Sequence, residues 1–525
     1  MTNKKLTRVD LYVFCNQLNM MGVRFLSAYL KSKNIDVRLI YTLAPADRFS
    51  YEIYSDELLN KIVKFSEQAD VVGFSITSNY FLEAVKLTAK FKKNSQVPVV
   101  WGGVHPTLEV DDCLNYTDYV IRGEGEKAFH EFIEKYMANE NLDDIGNLAY
   151  KRNGEIVKTP LKSLIGNLND LPLPDTDFTS HYLTEDDQIL KVNHSLMKKH
   201  MLTFSNKARV TYNVSTTRGC PHSCTYCVNF AYKELYGNRG YVRKRSIESI
   251  IQEISTVVKK YPFIDYIFFA DETLFVNKRD FIKQLAEEYK EKIGLLSKIE
   301  FSPQTFNEEK LAHMVEAGAV ELHLGVESGS DSTNYEIYKR KYPAEKIKKI
   351  INTIYKYRAK LEVVHLHILI CNPFEDQANT KDTFKFIIDV PNYFDIRFFP
   401  LVFFPGTELL RKAEELQIID RKNRDKDIYL HNWNENDALS HADYYTICMK
   451  FLYFLKKEIN INKFFSLAFF HFFAFPPIKL LLDNKVMKSV LVKGYRFSYY
   501  SSRVFRHLKK GTLISKVKQL KYKPT

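Results

Sequence analysis

Short β-rich runs alternate with amphipathic stretches twice along this 525-residue chain. The first series covers residues 1–145 and the second covers residues 209–410. This alternation is typical of parallel sheets covered by helices, because two parallel strands need a crossover connection between them. A chain of this length also exceeds what a single hydrophobic core holds. The sequence therefore predicts an α/β protein of two to four domains.

Four segments are expected in order along the chain. Residues 1–145 predict a Rossmann-like, doubly wound sheet. Residues 146–208 contain a hairpin signal and a proline-containing linker. The six strand–helix repeats of residues 209–410 fit a partial (β/α)6 barrel. Residues 411–525 have a helical, aromatic-rich pattern and form the expected C-terminal domain with a basic tail.

The excess of positive over negative charge lies almost wholly in this tail. The chain has 76 Lys and Arg against 63 Asp and Glu, and residues 484–525 hold 12 of the basic residues and no acidic ones. A basic tail beside the aromatic stretch 464–475 indicates peripheral contact with a membrane. The alternative for the aromatic stretch is a helix buried against the barrel. Scattered aromatics in a basic tail are weak evidence for RNA, so nucleic acid is the less favoured partner.

No targeting or membrane-spanning segment is expected. The first ten residues lack the apolar stretch of a secretory signal, and the uncharged run 464–478 is shorter than the roughly 20 residues of a bilayer span. We therefore expect a cytoplasmic protein, with contact at the inner face of the membrane if the tail binds there. Thiols stay reduced in this compartment, where clustered cysteines usually serve a metal.

Three of the seven cysteines lie within eight residues, directly after a predicted strand: Cys220, Cys224 and Cys227. Three cysteines on one loop can hold three irons of a cubane iron–sulfur cluster and leave the fourth iron open. An open coordination position distinguishes a catalytic metal centre from a structural one. The alternative is a zinc knuckle, although no fourth ligand follows at knuckle spacing. The other cysteines are dispersed and are expected to fill apolar space: Cys15, Cys113, Cys371 and Cys448.

This spacing, with Arg218 and Gly219 before the first cysteine and Pro221 after it, resembles the signature of the radical S-adenosylmethionine (SAM) superfamily. The resemblance implies a 4Fe-4S cluster on the three cysteines, with SAM chelated at the open iron. Electron transfer from such a cluster cleaves SAM to a 5′-deoxyadenosyl radical. A one-electron donor such as flavodoxin or ferredoxin is then an implied partner.

Further segments resemble the SAM-binding parts of that superfamily, in the same order. Asp271 or Glu272, after the second barrel strand, is implied to contact the SAM amino group. Glu327 and Glu375, after the fourth and fifth strands, are implied further contacts, although the usual glycines around Glu375 are replaced. Tyr226 is implied to shield the cluster and approach the adenine.

Strand periodicity places three histidines on the inner face of the expected barrel. His323 alternates with apolar residues in the fourth strand, and His365 and His367 do so in the fifth. Because barrel active sites lie at the carboxyl ends of the strands, these histidines are candidates for substrate contact or proton transfer. The alternative is that they are hydrogen-bonded core residues.

The first series carries glycine-rich loops where an open parallel sheet binds ligands, beyond the carboxyl ends of its strands. The candidate residues are Ser75, Thr77, Gly102, Gly103, His105, Gly123, Glu124 and Gly125. Together with the barrel downstream, these loops resemble the cobalamin-binding domain of the cobalamin-dependent radical SAM subgroup. The Asp-x-His-x-x-Gly motif of other cobalamin proteins is absent. The resemblance therefore implies cobalamin bound without a protein histidine on cobalt, or a domain that has lost the cofactor.

Taken over residues 1–410, the resemblance implies an enzyme that uses SAM, a 4Fe-4S cluster and cobalamin to methylate an unactivated carbon of a small-molecule or lipid substrate. Two alternatives remain open. One is a ring-forming or oxidative radical SAM enzyme without methyl transfer. The other is a non-catalytic iron–sulfur module that binds RNA or membrane through its tail. No sequence feature identifies the substrate.

Overall fold

The structure is a computed structural model that describes residues 6–44, 54–204, 207–237, 240–419 and 444–459 and residue 468. Two large sheets form the centre of the described residues, one built mainly from each of the two alternating series. The basic tail and, except for Ala468, the aromatic stretch 464–475 lie outside the described residues. Among the described residues, no helix is long and apolar enough to cross a membrane.

Nine strands form the first sheet. They are β1 Arg8–Cys15, β2 Asp36–Leu43, β3 Val71–Ser75, β4 Val99–Gly102, β5 Tyr119–Ile121, β6 Leu148–Arg152, β7 Glu155–Lys158, β8 Tyr182–Glu185 and β9 Gln188–Lys191. Their order is β7-β6-β5-β4-β3-β1-β2-β8-β9, and the six strands from β5 to β8 in that order are parallel. Residues 146–208, expected to hold a hairpin and a linker, thus extend the sheet by a hairpin at each edge.

Helices cover both faces of this sheet, as a doubly wound fold requires. They are α1 Met21–Ser32, α2 Asp56–Phe65, α3 Phe81–Asn94, α4 Val104–Leu108, α5 Val110–Cys113, α6 Gly125–Met137 and α7 His194–His200. Sequence chemistry fixes where they begin, for example at Ser55, whose side chain accepts a hydrogen bond from the Leu58 amide and caps α2.

The second sheet is an open half-barrel of six parallel strands. The strands of this part of the chain are β10 Leu202–Phe204, which precedes the second series, and β11 Ala208–Val214, β12 Thr217–Arg218, β13 Arg243–Lys244, β14 Tyr266–Phe269, β15 Leu296–Phe301, β16 Ala319–Glu327, β17 Val363–Ile370 and β18 Asp395–Pro400. The order β10-β11-β14-β15-β16-β17-β18 has β10 antiparallel at one edge. Strands β12 and β13 pair separately beside the cysteine loop. The expected α/β class and partial barrel are confirmed.

Amphipathic helices cover the outer face of the half-barrel. They are α9 Ile247–Lys260, α10 Arg279–Lys292, α11 Glu308–Glu316, α12 Ala344–Lys356, α13 Gln377–Asp389 and α15 Tyr444–Phe454. Two further helices lie elsewhere: α8 Val228–Tyr236 follows the cysteine loop, and α14 Glu408–Glu415 packs with the core of the first sheet. Helix α12 shows why the outer helices form: its buried residues Ile347, Ile350, Ile351 and Ile354 follow the helical period and bury one face. Helix α15 packs near the amino end of β18, where the Ile396 amide donates to the Tyr453 hydroxyl at 2.9 Å.

Candidate active site

The cysteine loop runs from the carboxyl end of β11 to the start of α8. Cys220 is buried, Cys224 and Cys227 are half-buried, and none forms a disulfide. Burial raises the pKa of Cys220 to about 11 and that of Cys227 to about 12. Thiolates at these positions therefore need a compensating positive charge, which a bound metal would supply.

The spacing of the three sulfurs suits a cluster better than a single ion. The described residues contain one group of three or more metal-ligating side chains whose ligand atoms all lie within 4.8 Å of one another, and the cysteines are not in it. A zinc ion with Zn–S bonds of about 2.3 Å holds its sulfurs less than about 4 Å apart. The wider arrangement fits a cubane cluster and disfavours the zinc knuckle.

Asp271 and Glu272 have different surroundings, which the sequence could not resolve. Asp271 is 2% exposed, and its Oδ1 accepts hydrogen bonds from the backbone amides and hydroxyls of Thr216 and Thr217 at 2.7–2.9 Å. Glu272 instead lines the cavity between the two sheets. Burial raises the pKa of Glu272, opposed by a hydrogen bond from Asn229. Asp271 thus holds Thr216 and Thr217, just before the cysteine loop, in position. Glu272 faces the cavity, where a ligand can reach it.

Glu327 and Tyr226 are held by one arginine that sequence reasoning missed. Arg340 Nη1 donates to Glu327 Oε1 at 2.7 Å and to the Tyr226 hydroxyl at 2.9 Å. Arg340 Nη2 donates to the Gly325 carbonyl at 2.8 Å. Burial raises the pKa of Glu327, and the Arg340 charge opposes that shift. Glu327 has a φ of 67°, so its backbone is in the left-handed region where the strand ends.

Glu375 connects the loops that follow β16 and β17. Its Oε1 accepts a hydrogen bond from Thr333 Oγ1 at 2.7 Å and a longer one from Ser328 Oγ at 3.4 Å. The carboxyl is therefore already engaged with neighbouring hydroxyls at the same end of the half-barrel as Glu327. Its contact with SAM stays a prediction.

A cavity of about 420 Å³ lies between the carboxyl ends of the two sheets. Six of the residues expected to bind cobalamin line it: Ser75, Gly102, Gly103, Gly123, Glu124 and Gly125. Thr77 and His105 do not. Thr77 Oγ1 donates to Asn79 at 2.6 Å, and the buried His105 ring packs 4.5 Å from Phe81 with its Nδ1 3.1 Å from Ser78 Oγ.

The walls of this cavity suit a large, flat ligand. Seven glycines line it, namely Gly22, Gly73, Gly102, Gly103, Gly123, Gly125 and Gly219, beside apolar side chains such as Phe25, Leu26 and Val228. Glycine lets a macrocycle approach the backbone closely. No histidine is among the described lining residues. These features fit a corrin ring bound without a protein histidine on cobalt.

The cysteine loop is tied to the first sheet by an ionic network at the cavity wall. Glu124 Oε1 accepts from Arg218 Nη1 at 2.9 Å and from Arg243 Nη1 at 2.7 Å, while Arg218 Nη2 donates to Glu126 at 2.7 Å. Burial alone would raise the pKa of Glu124, but the two arginine charges outweigh it and lower the pKa. Sequence reasoning missed Arg218 as a site residue, although its place in the cysteine motif could have indicated it; Arg243 carried no such signal.

The three histidines come together, but not at this cavity. His323 and His365 are register partners on β16 and β17, and the ring of His367 lies 5.0 Å from that of His323. They lie three to five residues before the carboxyl ends of long strands, and none lines the cavity. Their expected catalytic role stays a prediction.

Family models match both parts of this arrangement. Residues 9–133 match the B12 binding domain, and residues 214–387 match the radical SAM superfamily. The fold and site define a radical SAM half-barrel preceded by a B12-binding sheet. The chain therefore carries a B12 binding domain followed by a radical SAM domain.

Named relatives are similar over most of this region. An uncharacterized methyltransferase of Pyrococcus horikoshii is 29% identical over 59% of this chain and 61% of that protein, so the match spans about three fifths of the relative. Cytidylyl-2-hydroxyethylphosphonate methyltransferase of Streptomyces wedmorensis is 24% identical over 66% of this chain and 67% of that protein. Among solved structures, the cobalamin-dependent SAM radical enzyme OxsB, with aqua-cobalamin and SAM bound, shares the fold, with a TM-score of 0.66, 13% identity and coverage of 98% of this chain and 83% of that one.

Proposed function

We propose that this enzyme binds cobalamin, a 4Fe-4S cluster and SAM and methylates an unactivated carbon of a small-molecule or lipid substrate. The observation that carries the proposal is the shared cavity. Gly102 and Gly123 of the B12-binding sheet line it together with Glu272 and with Gly219, which adjoins the first cysteine. When bound, the cluster with SAM supplies a radical source, and cobalamin supplies a methyl carrier. Two methyltransferase relatives support this reaction over ring formation or oxidation.

The residues of the half-barrel would hold the cluster and SAM. Cys220, Cys224 and Cys227 would ligate the cluster, and Asp271 would keep the preceding loop in position through its bonds to the two threonines. Glu272 is the better placed of the two adjacent acids to accept a hydrogen bond from the SAM amino group, because it faces the cavity. Glu327, Glu375 and Tyr226 would complete the SAM site.

The residues of the first sheet would form the bed for cobalamin. Ser75, Gly102, Gly103, Gly123, Glu124 and Gly125 line the cavity and would contact the ring or its side chains. His105 would support this wall indirectly, since it packs behind the glycine loop against Phe81. The Glu124–Arg218 pair would hold the two cofactor sites at a constant separation.

The proposal also covers the setting of the enzyme. We assign the domains as residues 1–145, 146–208, 209–410 and 411–525 and place the protein in the cytoplasm. A flavodoxin or ferredoxin would deliver the electron. The basic tail would bring the enzyme to the inner face of the membrane, where a lipid substrate is available.

Anaerobic turnover tests the proposal directly. Reconstituted protein with dithionite, SAM carrying a deuterated methyl group and added cobalamin should yield 5′-deoxyadenosine, and the visible spectrum of the desalted protein should show bound corrin. Cys224→Ala should abolish SAM cleavage, whereas Cys113→Ala, in the core of the first sheet, should retain it. Intact SAM from a fully reconstituted cluster would refute the radical step. Cleavage without corrin binding would refute methyl transfer from cobalt while leaving the radical chemistry standing.

A further inference from the structure

The inner face of the half-barrel carries a second cluster of metal-ligating side chains, apart from the cysteines. Glu321 and His323 project from β16 and His365 projects from the adjacent β17, and their ligand atoms all lie within 4.8 Å of one another. Their side chains are 5%, 8% and 3% exposed. His323 lies four residues before Glu327, or about 13 Å along the strand, so the cluster is separate from the cofactor cavity.

The two histidines point the same nitrogen at the same carboxylate oxygen. Glu321 Oε1 lies 2.7 Å from His323 Nε2 and 3.6 Å from His365 Nε2. Two Nε2 atoms and one carboxylate that converge in this way are the donor set of a two-histidine, one-carboxylate metal site.

The other nitrogen of each ring has a further carboxylate nearby. His365 Nδ1 hydrogen-bonds to Asp395 Oδ2 at 3.0 Å, whereas His323 Nδ1 lies 3.2 Å from Glu300 Oε1 without forming a hydrogen bond among the described residues. Metal-ligating histidines commonly donate their second N–H to a carboxylate, which orients the ring and leaves Nε2 as the ligand atom. His365 therefore already has this outer support, and Glu300 is within reach of His323.

A third histidine gives an independent indication of a ligand. His367 Nε2 is buried and has no hydrogen-bond partner among the described residues, and the His367 ring lies 5.0 Å from that of His323. A buried nitrogen without a hydrogen-bond partner is destabilising, and a bound metal ion would satisfy it.

Two neighbouring cations constrain the geometry, namely Lys298, the register partner of Glu321 on β15, and Arg397. Arg397 lies against the His365 ring, with Nε 3.0 Å from Nδ1 and Nη2 2.9 Å from Nε2, and its Nε is 3.7 Å from Asp395. A guanidinium beside both ring nitrogens covers the face of the ring. Because the Arg397 side chain is 37% exposed, it can withdraw from Nε2 while keeping its ion pair with Asp395.

We propose that Glu321, His323 and His365 bind a divalent first-row transition metal ion of the Zn²⁺ or Fe²⁺ class, with His367 as a fourth ligand. The ion would join β16 to β17 inside the half-barrel, one layer beneath the cofactors. The proposal goes beyond methyl transfer, and the site would exist whether or not cobalamin binds.

Zinc binding to the reconstituted enzyme tests the site. Protein with its cluster in place is incubated with about one equivalent of Zn²⁺ and gel-filtered, and zinc is measured by mass spectrometry and X-ray absorption. We expect close to one zinc per chain with N/O ligands at about 2.0 Å, imidazole scattering and no sulfur shell near 2.3 Å. Glu321→Gln and His323→Gln should each lower zinc retention at least tenfold.

The controls separate this site from the cysteines and from unfolding. His313→Gln, in helix α11 away from the cluster, should retain zinc as the wild type does. Circular dichroism and cluster absorbance should match among the variants. Zinc that is lost from wild type on gel filtration, retained equally by Glu321→Gln, or surrounded by sulfur would overturn the proposal. SAM cleavage is assayed separately, so failure of the metal site leaves the proposed function testable.

Discussion

Arg218, two residues before the first cysteine, donates a hydrogen bond of 2.9 Å to Glu124 at the carboxyl end of the first sheet. The pair connects residues 94 positions apart in the chain and lines the cavity that both sheets enclose. Their side chains are 21% and 16% exposed, so water screens the attraction only partly. This ion pair therefore connects the cysteine loop directly to the loop of the first sheet that lines the cavity.

Removing the Glu124 charge should weaken this junction. Glu124→Gln leaves Arg218 and Arg243 without their shared partner, and we expect a loss of about 2–4 kcal/mol in the free energy of unfolding. Urea denaturation at pH 7.5 measures it. Glu131→Gln, which removes a more exposed pair with Lys162, is the matched control and should cost at most about 1 kcal/mol. Equal stability of the two variants would show that the junction contributes nothing.

Substitution of Asp271 and substitution of Glu272 should impair different functions, the first iron incorporation and the second SAM binding. Asp271→Ala leaves the backbone amides and hydroxyls of Thr216 and Thr217 without their hydrogen-bond acceptor. The cysteine loop should then be less well ordered, and iron content after reconstitution should fall by more than half. Glu272→Gln should keep full iron content but weaken SAM binding about tenfold, the cost of one charge-assisted hydrogen bond of about 1.4 kcal/mol. Iron analysis and equilibrium dialysis with labelled SAM measure the two quantities. The assignment is wrong if the two variants exchange these phenotypes.

Alanine substitutions at two adjacent glycines of the cavity wall should have different effects on stability. A Cβ on Gly103, where φ is +100°, would lie 2.8 Å from the Ile76 carbonyl oxygen, so Gly103→Ala should cost about 2 kcal/mol or more of stability. A Cβ on Gly102 would be no closer than 3.7 Å to any atom, so Gly102→Ala should fold normally. Because Gly102 lines the cavity, its variant should nevertheless bind cobalamin more weakly in spectrophotometric titration. Unaltered cobalamin affinity in Gly102→Ala would place the ring elsewhere.

Buried His181 should make stability fall on mild acidification. Burial lowers the pKa of His181, and Asp175, 3.1 Å away, only partly opposes the shift. Between about pH 7.5 and 5.5 the His181 imidazole becomes protonated in the unfolded chain but stays neutral in the folded protein. The free energy of unfolding therefore falls by up to about 1.4 kcal/mol per pH unit as the pH falls. Urea midpoints at the two pH values measure the effect. His181→Gln should flatten the pH dependence, and an unchanged slope would contradict the assignment.

Deletion of residues 484–525 should abolish binding to anionic membranes. The basic tail is expected to bind phosphatidylglycerol vesicles by charge, so flotation of the full chain should fall between about 0.05 M and 0.5 M salt. Neutral phosphatidylcholine vesicles are the control. Equal flotation of the truncated and full chains would refute the role of the tail.

Much of the fold was accessible from local sequence pattern. The alternating β-rich run Val363–Ile370 predicts the strand β17 with the bounds that the structure has. The β-rich run 211–216 predicts a strand that starts three residues later than β11 does, because Ala208 and Arg209 enter β11 by pairing with β10, a short edge strand that has little signal of its own. The two hairpins of residues 146–208 likewise become strands of the first sheet only through pairing with β5 and β2.

The sequence by itself predicted the radical SAM and B12-binding domains and the candidate cluster ligands, because three cysteines on one loop carry their spacing with them in any fold. Tertiary structure decided what depends on distant pairing. It turned Glu272 rather than Asp271 to the cavity, kept Thr77 and His105 out of the cavity wall, and brought Arg218 to Glu124. It also gathered Glu321, His323 and His365 from two strands. Side-chain direction at a strand end depends on backbone conformation and on the neighbouring strand, and neither can be read from a periodic pattern.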